Sequence, residues 1–126
     1  MSQTVTPYLL YEDADAASEF VCRAFSFREV RREIGVAGGA HLEFETPLGG
    51  MVYAGQPGPG YSNPGTVGRT SLTYVLVPDA DAHHEQARRE GADVFEEPLD
   101  LPYGHRRYSC RDPQGHEWTF AMEKQS

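Results

Sequence analysis

His41 and Glu43 stand two apart in "AHLEFET", and side chains two apart on an extended strand share a face. An imidazole and a carboxylate so placed either contribute two ligands to a divalent metal or make a cross-strand hydrogen bond. Glu43, Glu117 and Tyr53 are the candidate catalytic bases; such a role requires a pKa tuned to the working pH. Tyr8 and Tyr74 offer flat rings with a hydroxyl at the rim, suited to a ligand or to the core. His83 and His84 are neighbours on a predicted helix. They point about 100° apart, cannot chelate together, and are expected on the solvated surface. His116 is expected to serve a turn, and His105, beside Arg106 and Arg107, to meet an anion or water. Cys110 is expected to pack rather than react, because nothing nearby in sequence activates a thiolate. The glycines at 55–68 lead into no Lys-Ser/Thr, so a phosphate-binding loop is not indicated.

The elements that position these residues follow from a repeat. "YLLYEDADAASEFVCRA", residues 8–24, lies over "YVLVPDADAHHEQARRE", residues 74–90, with eight of seventeen positions identical at an offset of 66. The same offset pairs Gly38 with Gly104, Pro47 with Pro113 and Gly49 with Gly115. A register held this long marks two copies of one structural unit.

In each copy a short apolar run rich in aromatic and β-branched residues predicts a strand. Asp13 and Asp79 then fall at helix N-caps, with Asp15 and Asp81 in the first turns, where carboxylates suit the helix dipole. Ala17, Phe20, Val21, Ala24 and Phe25 form one apolar stripe on the first helix. The second helix ends on "RREG", with Gly91 as its stop. Three strands follow each helix, a Pro-x-Gly turn preceding the last one. The reading is α+β: two tandem βαβββ modules over about 4–54 and 71–123, forming one domain across residues 1–126. Residues 55–70, with their cluster of Gly and Pro, are read as a linker or as a flap over a site.

The totals exclude several classes. A net charge of −8 opposes nucleic-acid binding, which needs a basic footprint. No apolar run approaches the length of a membrane span. Cys22 and Cys110 make no CxxC pair, so neither a zinc site nor a disulfide framework is expected. The opening residues lack signal-peptide character, and the expectation is a cytoplasmic protein with reduced thiols.

The second module carries Tyr103-Gly104-x-Arg106, then Asp112-Pro113-x-Gly115-His116-x-Trp118-x-Phe120. This tail resembles the vicinal oxygen chelate superfamily, which includes glyoxalase I, extradiol dioxygenases and bleomycin-resistance proteins. The resemblance implies paired βαβββ modules curled into a cup, helices outside, and a homodimer with modules pairing within or between chains. It further implies that metal ligands, where present, sit at the start of each module's first strand and in each last strand. Those positions hold Thr6, Tyr53, Leu72 and Thr119, a set lacking carboxylate, imidazole and thiolate. The expectation is therefore no metal and no cofactor, and glyoxalase chemistry, which needs a Lewis acid, is not carried over.

Strand alternation then assigns the inner wall of the cup. It comprises Thr6, Tyr8, His41, Glu43, Tyr53, Leu72, Tyr74, Arg107, Ser109, Glu117 and Thr119, with Leu10, Leu76, Met51 and Ala121 beside them. Leu9, Val75, Val77, Trp118 and Phe120 face the helices. An apolar, aromatic wall with few polar groups suits a small molecule. The expected function is metal-free binding of a drug or metabolite. The alternatives are an enzyme of the same superfamily, using a divalent metal or a carboxylate base, and a non-catalytic interaction module.

Overall fold

The computed structural model describes residues 3–34 and 39–124; Gly38, the repeat partner of Gly104, lies outside them. The chain order is β1 (Tyr8–Leu10), α1 (Ala14–Phe25), β2 (Arg28–Ile34), β3 (Ala40–Glu45), β4 (Met51–Gly55) and α2 (Pro64–Val67). It continues through β5 (Leu72–Leu76), α3 (Ala80–Arg89), β6 (Asp93–Asp100), β7 (His105–Arg111) and β8 (Glu117–Glu123). The strands make two four-stranded mixed sheets, ordered β1-β4-β3-β2 and β5-β8-β7-β6. In each, the first and last strands of a module pair in parallel and the other neighbours are antiparallel. This is the α+β, twofold βαβββ arrangement expected from the repeat.

The repeated Asp-Ala-Asp-Ala does the same work twice. The Asp13 carboxylate accepts from the Ala16 amide at 3.0 Å, and that of Asp79 from Ala82 at 3.1 Å. Each satisfies one amide that a helix start leaves without a partner. The β3–β4 and β7–β8 turns also match: Gly49 N–H donates to the Thr46 carbonyl, and Gly115 N–H to that of Asp112. Both glycines have φ above +90°, a region that β-carbons disfavour.

One core joins the modules. Phe25, at the end of α1, lies 5.3 Å from Trp118 and 4.7 Å from Phe120 on β8, centroid to centroid. Leu42, Phe44, Val52 and Val77 are buried in the same cluster. Leu9, Val75, Val77, Trp118 and Phe120 face it as alternation required. Cys110 is fully buried, and burial pushes its thiol well up, which suits a packed and unreactive sulfur.

One expectation changes. His83 is not on the solvated surface: it is 7% exposed, with Nε2–H donating to the Phe25 carbonyl at 2.9 Å and Nδ1 accepting from the Tyr108 hydroxyl. His84 is mostly covered as well, with Nε2 3.0 Å from Glu97. The short apolar spacing of α3 concealed this, because the second helix buries a polar residue against hydrogen-bond partners from elsewhere in the fold.

Residues 55–70, expected as a linker or a flap, run between the modules and are tied to both. Gly55 completes β4, and α2 forms a single turn. The Asn63 amide donates to the Glu12 carboxylate at 2.7 Å, and the Glu12 amide to the Asn63 side chain at 2.8 Å. The Tyr61 hydroxyl donates to the Leu10 carbonyl, and Gly65 N–H to that of Gln114. The segment is a strap laid across both modules. Gly115 makes room for it, since a β-carbon there would stand 2.2 Å from the Gly65 nitrogen.

Candidate functional site

On the face of the first sheet turned away from α1, Tyr8, His41, Glu43 and Tyr53 come together. The parallel β1–β4 register sets Tyr8 beside Tyr53, and the β3–β4 register sets Glu43 beside Tyr53 and His41 beside Gly55. Tyr8 reaches across β4 to His41, its hydroxyl 2.7 Å from His41 Nδ1. Gly55 makes this crossing possible: a β-carbon there would lie 2.8 Å from the Tyr8 ring and hydroxyl. His41 Nε2 stands 2.9 Å from the Glu43 carboxylate. A carboxylate only accepts, so Nε2 carries a proton, and in the neutral ring Nδ1 is the acceptor that faces the Tyr8 hydroxyl. The Tyr53 ring meets Tyr8 and His41 edge-on at 6.2 and 5.5 Å. Tyr8 remains 48% exposed.

The second sheet carries a related but not identical cluster. The Tyr74 hydroxyl is 2.6 Å from His105 Nδ1 and 3.3 Å from the Tyr103 hydroxyl. Burial, followed by the Tyr103 hydrogen bond, pushes the Tyr74 phenol up to about 12. Arg107 donates to Tyr103 at 3.1 Å and to Glu96 at 2.9 Å. Ser109 and Thr119 are buried and bonded to one another at 2.8 Å. His105 therefore meets a phenol rather than an anion. The position matching Gly55 is Ala121, and that matching His41 is Arg107. With a β-carbon in its path, Tyr74 meets a histidine two register pairs away, at the start of β7.

The expected wall thus separates into two half-walls, one per sheet. Among the described residues, no hydrogen bond or aromatic contact joins the Tyr8 cluster to the Tyr74 cluster. Leu10, Leu72, Leu76 and Tyr74 are exposed. A cavity of about 330 Å³ opens where β5 meets module one, lined by Pro7, Leu48, Met51, Tyr74 and Leu76 among others. Another, of about 480 Å³, lies on the helix side, between the start of α1 and the Asp112–Gln114 turn. Sequence reasoning missed three contributors. Gly55 was read as the start of a linker, Tyr103 only as a fold motif, and Glu96 reached the cluster through irregular β6–β7 register. None carries a signal in sequence, since each acts through a contact between strands.

The four positions to which the resemblance assigns metal ligands offer no donor set for a divalent metal. The Thr6 hydroxyl accepts from the Gln3 side chain, the Thr119 hydroxyl is paired with Ser109, Tyr53 lies among aromatic rings, and Leu72 has no donor. His41 has both ring nitrogens engaged, and the Glu117 carboxylate accepts from Arg111 at 3.1 Å. Among the described residues, no group of three His, Cys, Asp or Glu side chains is placed to share an ion.

His116, expected to serve its turn, does so and also crosses to the other module. Its amide donates to Asp112, its Nε2–H to the Leu10 carbonyl at 2.6 Å, and its ring packs 4.6 Å from Tyr11.

Comparison with known proteins extends this geometry. TioX from Micromonospora sp. ML1 superposes with a TM-score of 0.75 at 28% identity, covering 98% of each chain. The glyoxylase/bleomycin resistance protein/dioxygenase domain from Frankia sp. EAN1pec shares the fold, with a TM-score of 0.80 at 16% identity over 98% of this chain and 99% of that one. An uncharacterized protein of Mycobacterium bovis is 26% identical, over 94% of this chain and 82% of its own. The family described as the Glyoxalase/Bleomycin resistance protein/Dioxygenase superfamily matches residues 3–120. With the paired modules and the turn motif of Asp112 to Trp118 already in place, this chain belongs to that superfamily.

Proposed function

We propose that this protein binds a flat, largely apolar small molecule without a metal, in the manner of a drug- or metabolite-sequestering member of its superfamily. One observation carries the reading: the superfamily's ligand positions hold Thr6, Tyr53, Leu72 and Thr119, while Tyr8, Leu10, Leu72, Tyr74 and Leu76 stay exposed beside them. Exposed apolar side chains gathered on one face mark a binding surface, and aromatic walls with a few polar groups are the usual lining of a small-molecule site. The same exposure supports a homodimer in which half-walls of two protomers complete the cup. The net charge of −8 weighs against nucleic acid as a partner.

An enzyme using a carboxylate base is the second reading, favoured by the contact of Glu43 with His41. Native mass spectrometry with elemental metal analysis on the purified protein tests both. A metal-free dimer carrying a small molecule supports sequestration. A stoichiometric divalent metal overturns it.

A further inference from the structure

Glu43, His41 and Tyr8 form an unbroken chain from carboxylate to imidazole to phenol, ending at the hydroxyl of a half-exposed tyrosine on an aromatic wall. The chain is built rather than incidental. Gly55 leaves the gap through which Tyr8 crosses β4, and Glu43 sets the His41 tautomer so that Nδ1 is free to accept. We infer that Glu43–His41–Tyr8 is a two-proton relay, and that the molecule bound on this wall is an aromatic or enolic compound with a weakly acidic hydroxyl. The inference rests on the small-molecule reading above and names the ligand class for its first half-wall.

The step balances without a further reactant. The ligand hydroxyl donates to Tyr8 Oη while the Tyr8 hydroxyl donates to His41 Nδ1. The ligand proton passes to Tyr8 Oη, and the original Tyr8 proton passes to Nδ1. The result is a ligand oxyanion hydrogen-bonded to a neutral Tyr8, and an imidazolium held against the Glu43 carboxylate. No electrons change owner. A hydrogen bond between two charged partners is the stronger kind, so Glu43 favours the transferred state. Among the described residues, the charged register partners of His41 and Glu43 on β2 are Glu33 and Arg31, which pair with each other and leave Glu43 as the carboxylate bonded to the ring.

The second half-wall sharpens the assignment. Tyr74 also meets a histidine, but its hydroxyl is shared with Tyr103, and no carboxylate is bonded to His105 among the described contacts. Both modules hold a phenol against an imidazole. Among the described residues, module one alone adds the acceptor that completes a relay.

The test uses 4-nitrophenol, whose ionised form absorbs separately from the neutral one, beside the non-ionisable 4-nitroanisole. Both are titrated into the full-length protein at a pH where free 4-nitrophenol is mostly neutral. Expected is binding of both, with the ratio of ionised to neutral nitrophenol raised about tenfold on the protein, equivalent to one pKa unit. Tyr8→Phe, His41→Gln and Glu43→Gln should each lose that rise while 4-nitroanisole still binds. Gly55→Ala should lose it too, by displacing Tyr8 without altering any relay group, and circular dichroism checks that the variant is folded. Binding of both probes with no change in ionisation overturns the relay and leaves the small-molecule reading standing. Ionisation that persists in Tyr8→Phe also overturns the relay. Failure of either probe to bind overturns both.

Discussion

At the scale of single residues, a hydroxyl's role depends on what its ring is allowed to cross. Tyr8 and Tyr74 occupy equivalent repeat positions, yet one lies over a glycine and the other beside an alanine, and they meet different partners. Both are largely exposed, at 48% and 41%, so truncation sacrifices little packing. The double variant Tyr8→Ala, Tyr74→Ala should fold, with a stability change within about 1 kcal/mol, and should lose aromatic-probe binding by fluorescence titration. A comparable loss of stability and binding together would instead mark the tyrosines as structural. His83 makes a different prediction. Burial lowers its pKa from 6.5 to about 4, so the folded state holds it neutral while the unfolded chain takes up a proton first. Its contribution is complete above pH 6.5, declines as pH falls toward 4, and changes no further below that, about 3 kcal/mol in all. Denaturant melts of His83→Gln and the parent across this window should therefore converge as pH falls, whatever the carboxylates add to both.

Elements are held by short polar fastenings at their ends. Removing the cap in Asp13→Ala or Asp79→Ala should cost about 1 kcal/mol each, read as a lower denaturation midpoint with unchanged slope. The strap of residues 55–70 is tied by Glu12 and Asn63, which exchange two backbone-to-side-chain hydrogen bonds. Asn63→Ala removes one side-chain acceptor and leaves the Glu12 amide without its partner. Hydrogen exchange over residues 57–66 should rise by about tenfold, since local opening follows the loss of such ties, while the β-strand amides keep their protection. Uniform loss of protection would show that the strap is part of the global fold instead.

For the molecule as a whole, Asp112 is the joint. Its carboxylate, 5% exposed, accepts from the Tyr11 hydroxyl at 2.7 Å, the Trp118 indole at 3.1 Å, and the Gln114 and His116 amides. Tyr11 comes from module one and the others from module two, so a single buried anion binds the halves together. Burial and the nearby Asp112 charge push the Tyr11 phenol well up, which keeps it a donor. Asp112→Ala strands these donors in the core and should cost about 3 kcal/mol or more. Asp112→Asn, able to accept but uncharged, should recover part of it. The exposed half-walls make the last prediction at this scale: sedimentation should report a dimer, and Leu72→Arg should shift it toward monomer if β5 lies in the interface.

The tail motif of Tyr103 to Phe120 pointed by resemblance to the superfamily, and local periodicity and offset determined the two modules, the caps at Asp13 and Asp79, and the core face of Leu9, Val75, Trp118 and Phe120. Each is written in spacing along the chain, through strand alternation, helix stripes and a register of 66. The turn motif of Asp112 to Trp118 was legible as a pattern, but not its reason, because Tyr11 is 101 residues away. The burial of His83, the fastening of the strap, the gap at Gly55 and the contact of Tyr8 with His41 all arise between strands or modules. No periodicity encodes such contacts. Tertiary packing alone decided which side chain crosses to which, and with it where the chemistry stands.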